Sequence, residues 1–176
     1  MPLLAARHLT KRFPGVVALD TVNFELQAGE IHALCGENGA GKSTLIKLLS
    51  GIHPRGSYEG DLLVDDHPVR FSSIRDAETA GIAVITQEFA LIDELSVAEN
   101  IFLGRPPRRS WRVDWLEMHR RAAALLLDFG LAVAPEAPVR TLGIGQKQLI
   151  EIVRAMDKRT RVLVLHKSGA AEINCE

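Results

Sequence analysis

Gly36-Glu37-Asn38-Gly39-Ala40-Gly41-Lys42-Ser43-Thr44 fits the pattern G-x-x-x-x-G-K-[ST], and its flanks decide what the pattern means. Glu30-Ile31-His32-Ala33-Leu34-Cys35 before it reads as a short apolar strand. Leu45-Ile46-Lys47-Leu48-Leu49-Ser50 after it reads as a helix that Gly51 ends. Strand, glycine-rich loop and helix together predict a phosphate site rather than a plain turn. The glycines let successive backbone N–H groups curl inward around a polyphosphate, and the helix that follows adds its unpaired N–H groups and positive dipole end. In that geometry Lys42 reaches the β- and γ-phosphates and Ser43 turns its hydroxyl to Mg²⁺. The chain is predicted to hold a nucleoside triphosphate.

Composition is consistent with this reading and excludes several others. A chain of 176 residues, 47% hydrophobic and 24% charged, has enough apolar material for one ordinary globular core. A formal net charge of −1 gives no electrostatic reason to expect nucleic acid as a partner. Cys35, in a strand expected to be part of the core, and Cys175 are far apart in sequence and suggest no disulfide framework, which points to a reducing cytosol. The six histidines lack metal-ligand spacing. Met1 to Arg7 lacks the apolar core of a signal peptide, and Ala122 to Leu127 is too short to cross a bilayer. Any membrane link is expected to run through a partner.

Working outward from the loop, Val22, Phe24 and Leu26 fall on one side of a predicted strand, and Phe13-Pro14-Gly15 is a turn carrying an aromatic ring. That ring is either a small core contact at the turn or a flat face on which a purine base stacks. Residues 60–66 predict a strand ending in a turn, and Ser72-Ser73 a cap for a short helix reaching Ala80. Gly81 to Ile85 predicts a buried parallel strand. This strand runs into Thr86-Gln87-Glu88, which makes Gln87 a candidate for the metal or the attacking water. Ser96 and Glu99 form a capping box that opens a helix to about Leu103. The arginine- and proline-containing stretch 104–113 is expected to be a solvated loop. Asp114 caps a helix with Trp115, Met118, Ala122, Leu125, Leu126 and Phe129 on one face, and Gly130 stops it. Gly143, Gly145 and Gln146 precede a helix from Lys147 to Met156 whose expected apolar face is Leu149, Ile152, Val153 and Met156. Arg161 to Leu165 reads as a buried strand.

Taken together, residues 3–165 resemble an ATP-binding cassette, the motor domain of ABC transporters. The resemblance implies an α/β P-loop NTPase fold: a RecA-like core with an N-terminal antiparallel β part and a helical subdomain over about 88–156, incomplete at its C-terminal side. It places Phe13 where the family stacks an aromatic on adenine and matches Gly36 to Thr44 (Glu37, Asn38, Gly39, Ala40, Gly41, Lys42 and Ser43 included) to the Walker A loop. Gln87 matches the glutamine that senses the metal and touches the membrane subunit. Leu142 to Gln146 resembles the signature motif that faces the γ-phosphate held by an opposite cassette, with Gly143 in place of the usual serine. Residues 81–105 are similar to the ribose, galactose and xylose importers, and the insert His53 to Gly60 leans towards the xylose type. Implied cofactors are ATP and Mg²⁺. Implied partners are a membrane permease, a second cassette in a head-to-tail dimer and, indirectly, a sugar-binding protein. The implied location is the cytoplasmic face of the membrane.

One departure stands out. Where the family has Asp-Glu-Pro after the strand ending at Leu165, this chain has His166-Lys167-Ser168. Neither a metal-holding Asp nor a water-polarising Glu is present there, and a lysine, protonated at neutral pH, is no general base. Residues 166–176 are expected to be a tail that does not match the family, leaving the central sheet with an open edge. Two further functions therefore stand beside the sugar-import ATPase: a truncated, non-hydrolysing remnant that binds nucleotide weakly or folds poorly, and a regulatory P-loop protein that engages a partner through residues 96–156.

Overall fold

Two runs of apolar residues separated by Pro14-Gly15 fold as an antiparallel pair, β1 (Leu4–Phe13) and β2 (Val16–Leu26), in the computed structural model, which describes residues 1–85, 91–157, 160–167 and 170–175. The chain continues through β3 (Ile31–Leu34), α1 (Lys42–Leu49), β4 (Glu59–Val64), β5 (His67–Val69), α2 (Ile74–Thr79) and β6 (Ile82–Ile85). Next come α3 (Val97–Ile101), a small hairpin of β7 (Arg108–Arg109) and β8 (Arg112–Val113), and α4 (Trp115–Asp128). A 3₁₀ turn at Val139–Thr141 precedes α5 (Ile144–Met156). The last elements are β9 (Val162–Lys167) and β10 (Ala170–Cys175). Backbone contacts divide these elements into two compact units, residues 1–87 with 160–176 and residues 88–159.

The first unit holds two sheets. One is antiparallel throughout, in the order β2-β1-β4-β5. The other runs β3-β10-β9-β6, with β6 parallel to β9 and Val84 opposite Val164. A single apolar cluster joins them to α1: Leu4, Leu9, Leu26 and Leu62 from the first sheet, Leu45, Ile46, Leu48 and Leu49 from the helix, and Ile82, Val162 and Val164 from the second. Each such side chain contributes about 1.5–3 kcal/mol by leaving water. Val22, Phe24 and Leu26 alternate on one face as predicted, with Phe24 and Leu26 buried and Val22 packed against the cluster.

One expectation about this unit needs correcting. Cys35 is exposed, and so is Ile31, at 75%. β3 is an edge strand, and its period-2 alternation puts residues 31 and 33 on an uncovered face while His32 and Leu34 turn inward. Residues 170–175 form β10, which lies between β3 and β9 and runs antiparallel to both, with Ile173 opposite His32 on one side and Val164 on the other. Among the described residues the edges of this sheet are β3 and β6.

The second unit packs α3, α4 and α5 around Val97, Ile101, Phe102, Met118, Ala122, Leu126, Ile150 and Val153. Ser96 opens α3 through a reciprocal cap: Glu99 N–H donates to Ser96 Oγ at 3.2 Å, and Ser96 N–H donates to Glu99 Oε2 at 2.9 Å. Asn100 is fully buried, accepts from Ile92 N–H and donates to the carbonyls of Ile92 and Ser96, each bond between 2.8 and 3.0 Å. Asp114 caps α4 as predicted, accepting from Glu117 N–H at 3.0 Å.

Both long helices bury narrower stripes than their sequences suggest. On α4 the core takes Met118, Ala122 and Leu126, while Trp115 at the first turn is 53% exposed and Phe129 lies past the last. On α5, which starts at Ile144 rather than Lys147, Ile150 and Val153 face the core and Leu149 is exposed. The predicted 104–113 loop contains the β7–β8 hairpin, whose reversal uses Ser110 at φ +59°.

Candidate nucleotide-binding site

The phosphate loop leaves the edge strand β3 and stays at the surface, with Gly36 to Ala40 exposed. It ends at Gly41, which caps α1 in the left-handed region (φ +85°, ψ −1°), so that the helix begins on Lys42. Gly41 is also pressed against β2. A Cβ there would stand 2.3 Å from the Ala18 carbonyl oxygen and 2.9 Å from Leu19 Cδ2. Only a residue without a side chain combines that conformation with that approach. Beyond it, the four buried apolar residues of α1 anchor the helix, and its amino end is fixed at the loop.

Lys42 folds back over this loop. Its Nζ donates to the carbonyl oxygens of Gly36 at 2.6 Å and Glu37 at 2.8 Å. The ammonium is thus held above the curled backbone, where phosphate oxygens would meet it together with the N–H groups of the helix start. Ser43, next on α1, is exposed. Loop, helix end and lysine fit a polyphosphate in charge and in hydrogen-bonding capacity.

Phe13, the candidate base platform, ends β1 and is 39% exposed. The His53 ring meets it edge to face, centroids 5.6 Å apart at 60°. Burial, then the nearby Lys11 and Lys47 charges, hold His53 below the ordinary histidine pKa, which favours its neutral form. Lys11 Nζ lies 4.9 Å from the Phe13 centroid. Sequence reasoning missed both neighbours.

The other sequence candidates lie elsewhere. Gly143, Gly145 and Gln146 belong to the second unit, at the start of α5, where Gln146 Oε1 accepts the Gly143 N–H at 3.1 Å. That bond places Gln146 at the helix cap, and a Cβ at Gly145 would meet no atom within 4 Å. Gln87 lies outside the described residues. Among the described residues no group of three or more His, Cys, Asp or Glu side chains is placed to hold a metal ion. No described helix is long and apolar enough to cross a membrane.

The family model described as ABC transporter matches residues 19–166. The chain is 51% identical over 174 residues to the xylose import ATP-binding protein XylG of Moorella thermoacetica, an alignment covering 99% of this chain and 34% of that protein. It is 53% identical over 171 residues to the ribose import ATP-binding protein RbsA 1 of Rubrobacter xylanophilus, covering 97% and 34%. It therefore spans about a third of the length of the curated relatives it matches. Among solved structures, a nucleotide-free ATP-binding cassette from an ABC transporter superposes with a TM-score of 0.79 at 26% identity, over 94% of this chain and 68% of that one. The ADP conformation of another such cassette gives 0.78 at 26%, over 93% and 67%.

Proposed function

The chain belongs to the ABC transporter family, and on that premise we propose that it forms the ATP-binding part of a sugar importer, coupling nucleotide binding to carbohydrate uptake. The observation that carries the reading is the loop of residues 36–42, closed by Gly41 against β2 and crossed by Lys42. In this proposal Lys42 exchanges its two loop carbonyls for phosphate oxygens, and the loop amides share the charge. Phe13 takes the base. Ser43 and Gln87 are the residues that would hold Mg²⁺, which when bound offsets the charge of the phosphates. The sugar assignment follows the names of the relatives at 51% and 53% identity.

The partners proposed are a membrane permease, which would hold the chain at the inner face of the membrane, and a second cassette arranged head to tail. The exposed start of α5, with Gly143, Ile144 and Gly145 on its surface, would face the nucleotide of that second cassette. A sugar-binding protein would act through the permease. Nucleotide binding rather than turnover is proposed, because the sequence after Leu165 is His166-Lys167 and supplies no carboxylate to polarise a water.

Calorimetric titration of the purified chain with Mg·ATP tests the reading. Lys42→Ala is expected to lower affinity by about tenfold to a hundredfold, the worth of charge-assisted contacts to phosphate. Equal binding by the variant and the wild type would refute the assignment of the loop.

A further inference from the structure

Lys11 is a buried cation, and among the described residues it faces no carboxylate partner. Its residue is 7% exposed; Nζ donates to the Ser57 carbonyl oxygen at 2.5 Å and lies over the Phe13 ring. Burying an ammonium in that state is unfavourable, and a strand position facing the core would ordinarily take an apolar residue. What the residue does at this position is hold two things together: an aromatic face, by cation–π attraction, and a carbonyl of the loop 53–60.

That loop is itself held firmly. His53 N–H donates to the Lys47 carbonyl at 3.0 Å, tying the loop to the end of α1, and Arg55 N–H donates to the Phe71 carbonyl at 2.8 Å. The Arg55 guanidinium donates to the Gly60 carbonyl and to Asp61, and lies 5.6 Å from the centre of the buried Tyr58 ring. So the loop presents two fixed groups to Phe13: the Ser57 carbonyl that fixes Lys11, and the His53 ring at the edge. Lys11 is also the ladder partner of Leu19, whose Cδ2 lies against Gly41. The aromatic ring and the end of the phosphate loop are therefore positioned by the same short piece of β1–β2.

We infer that Lys11 and His53 are positioning residues for nucleotide recognition, and that the loop 53–60 serves to hold the Phe13 ring ready to stack on the base. This rests on the reading of Phe13 as the base platform. The ammonium lies over the ring, the imidazole meets it edge to face, and the exposed remainder is what a base can cover. A ring fixed before binding loses less freedom when the base stacks on it, so the gain appears as affinity for the base and not for the phosphates.

The test separates base from phosphate. Mg·ATP and inorganic tripolyphosphate are titrated calorimetrically into the wild-type chain and into Lys11→Met, Lys11→Arg and His53→Gln. Base–aromatic stacking is strong enough that Lys11→Met is expected to weaken ATP about tenfold. His53→Gln should weaken it by a smaller factor. Tripolyphosphate affinity should stay unchanged in both, which also reports an intact phosphate loop. Lys11→Arg, which keeps a cation over the ring, should recover most of the ATP affinity. Unchanged ATP affinity in Lys11→Met, or an equal loss for both ligands, would overturn the inference while leaving the phosphate loop standing. A wild-type chain that binds tripolyphosphate and ATP equally would remove the base platform and this role with it, and one that binds neither would overturn the nucleotide reading as a whole.

Discussion

A single methyl group tests how closely the phosphate loop is fitted. At Gly41 it would meet the Ala18 carbonyl at 2.3 Å on a backbone whose φ of +85° already disfavours any side chain. Gly41→Ala is expected to destabilise the chain by roughly 3 kcal/mol, combining backbone strain with overpacking, and to weaken Mg·ATP as the helix start shifts. Thermal melts and titration of the same sample measure both. A variant as stable and as tight as wild type would show that α1 is free to slide at its amino end. The identity of this residue was legible in the sequence because the loop pattern is local and its chemistry depends on consecutive backbone groups. Lys11 was not legible. Nothing in the order Leu9-Thr10-Lys11-Arg12 tells that the third residue is buried, because its burial depends on Phe13 and on a loop more than forty positions away. Cys35 failed for a related reason: an apolar run does not reveal that its strand lies at an edge.

Among the elements, α3 shows how a cap couples a short helix to pH. The Glu99 carboxyl lies below its ordinary value of 4.5, first because the Ser96 hydroxyl donates to it at 2.6 Å and then because the Ser96 N–H does. A carboxylate whose pKa is lowered by folding adds stability that is complete above its unfolded value and is lost as pH falls through the folded one. The stability of the wild-type chain should therefore fall as pH drops below about 4.5 through this group. Glu99→Gln should flatten that part of the profile. Ser96→Ala should cost about 1 kcal/mol near neutrality and reduce the same acid slope. Urea titrations between pH 3 and pH 7, ranges chosen around the carboxylate value, decide it: parallel curves for all three proteins would mean that the cap is broken in solution. The cap was readable because Ser-x-x-Glu is a local signal. The buried stripe of α5 was not, since Leu149 and Ile150 are equally apolar and only the packing of α3 and α4 selects Ile150.

At the scale of the whole molecule, the two-unit division and the mixed sheet arrangement depend on pairings that no window of sequence contains. The family resemblance carried the antiparallel sheet, and apolar runs gave the phosphate-loop strand and the two strands that pair in parallel, but neither gave a place to residues 170–175. In the structure those residues link the site to the core. Among the described residues β3, which delivers the phosphate loop, has one ladder partner, β10, and β10 joins it to β9. Loss of that pairing would leave β3 joined to its unit through the chain on either side of it, the packing of Leu34 and the contact of the His32 ring with Phe24. Position 173 tests this link, because its backbone lies between His32 and Val164. Ile173→Pro removes an amide donor and sets a φ that a central strand does not adopt, with an expected loss of about 3 kcal/mol or more. Since β3 positions the loop, Mg·ATP affinity should fall together with stability, whereas Ile173→Val, which keeps the donor and the strand preference, should change neither appreciably. Hydrogen exchange at Ile31 to Leu34 gives the decisive comparison. Faster exchange there in the proline variant, with α3 to α5 protected as before, would show that the tail strand holds the nucleotide loop in place; unchanged protection would mean that β3 is held by other contacts.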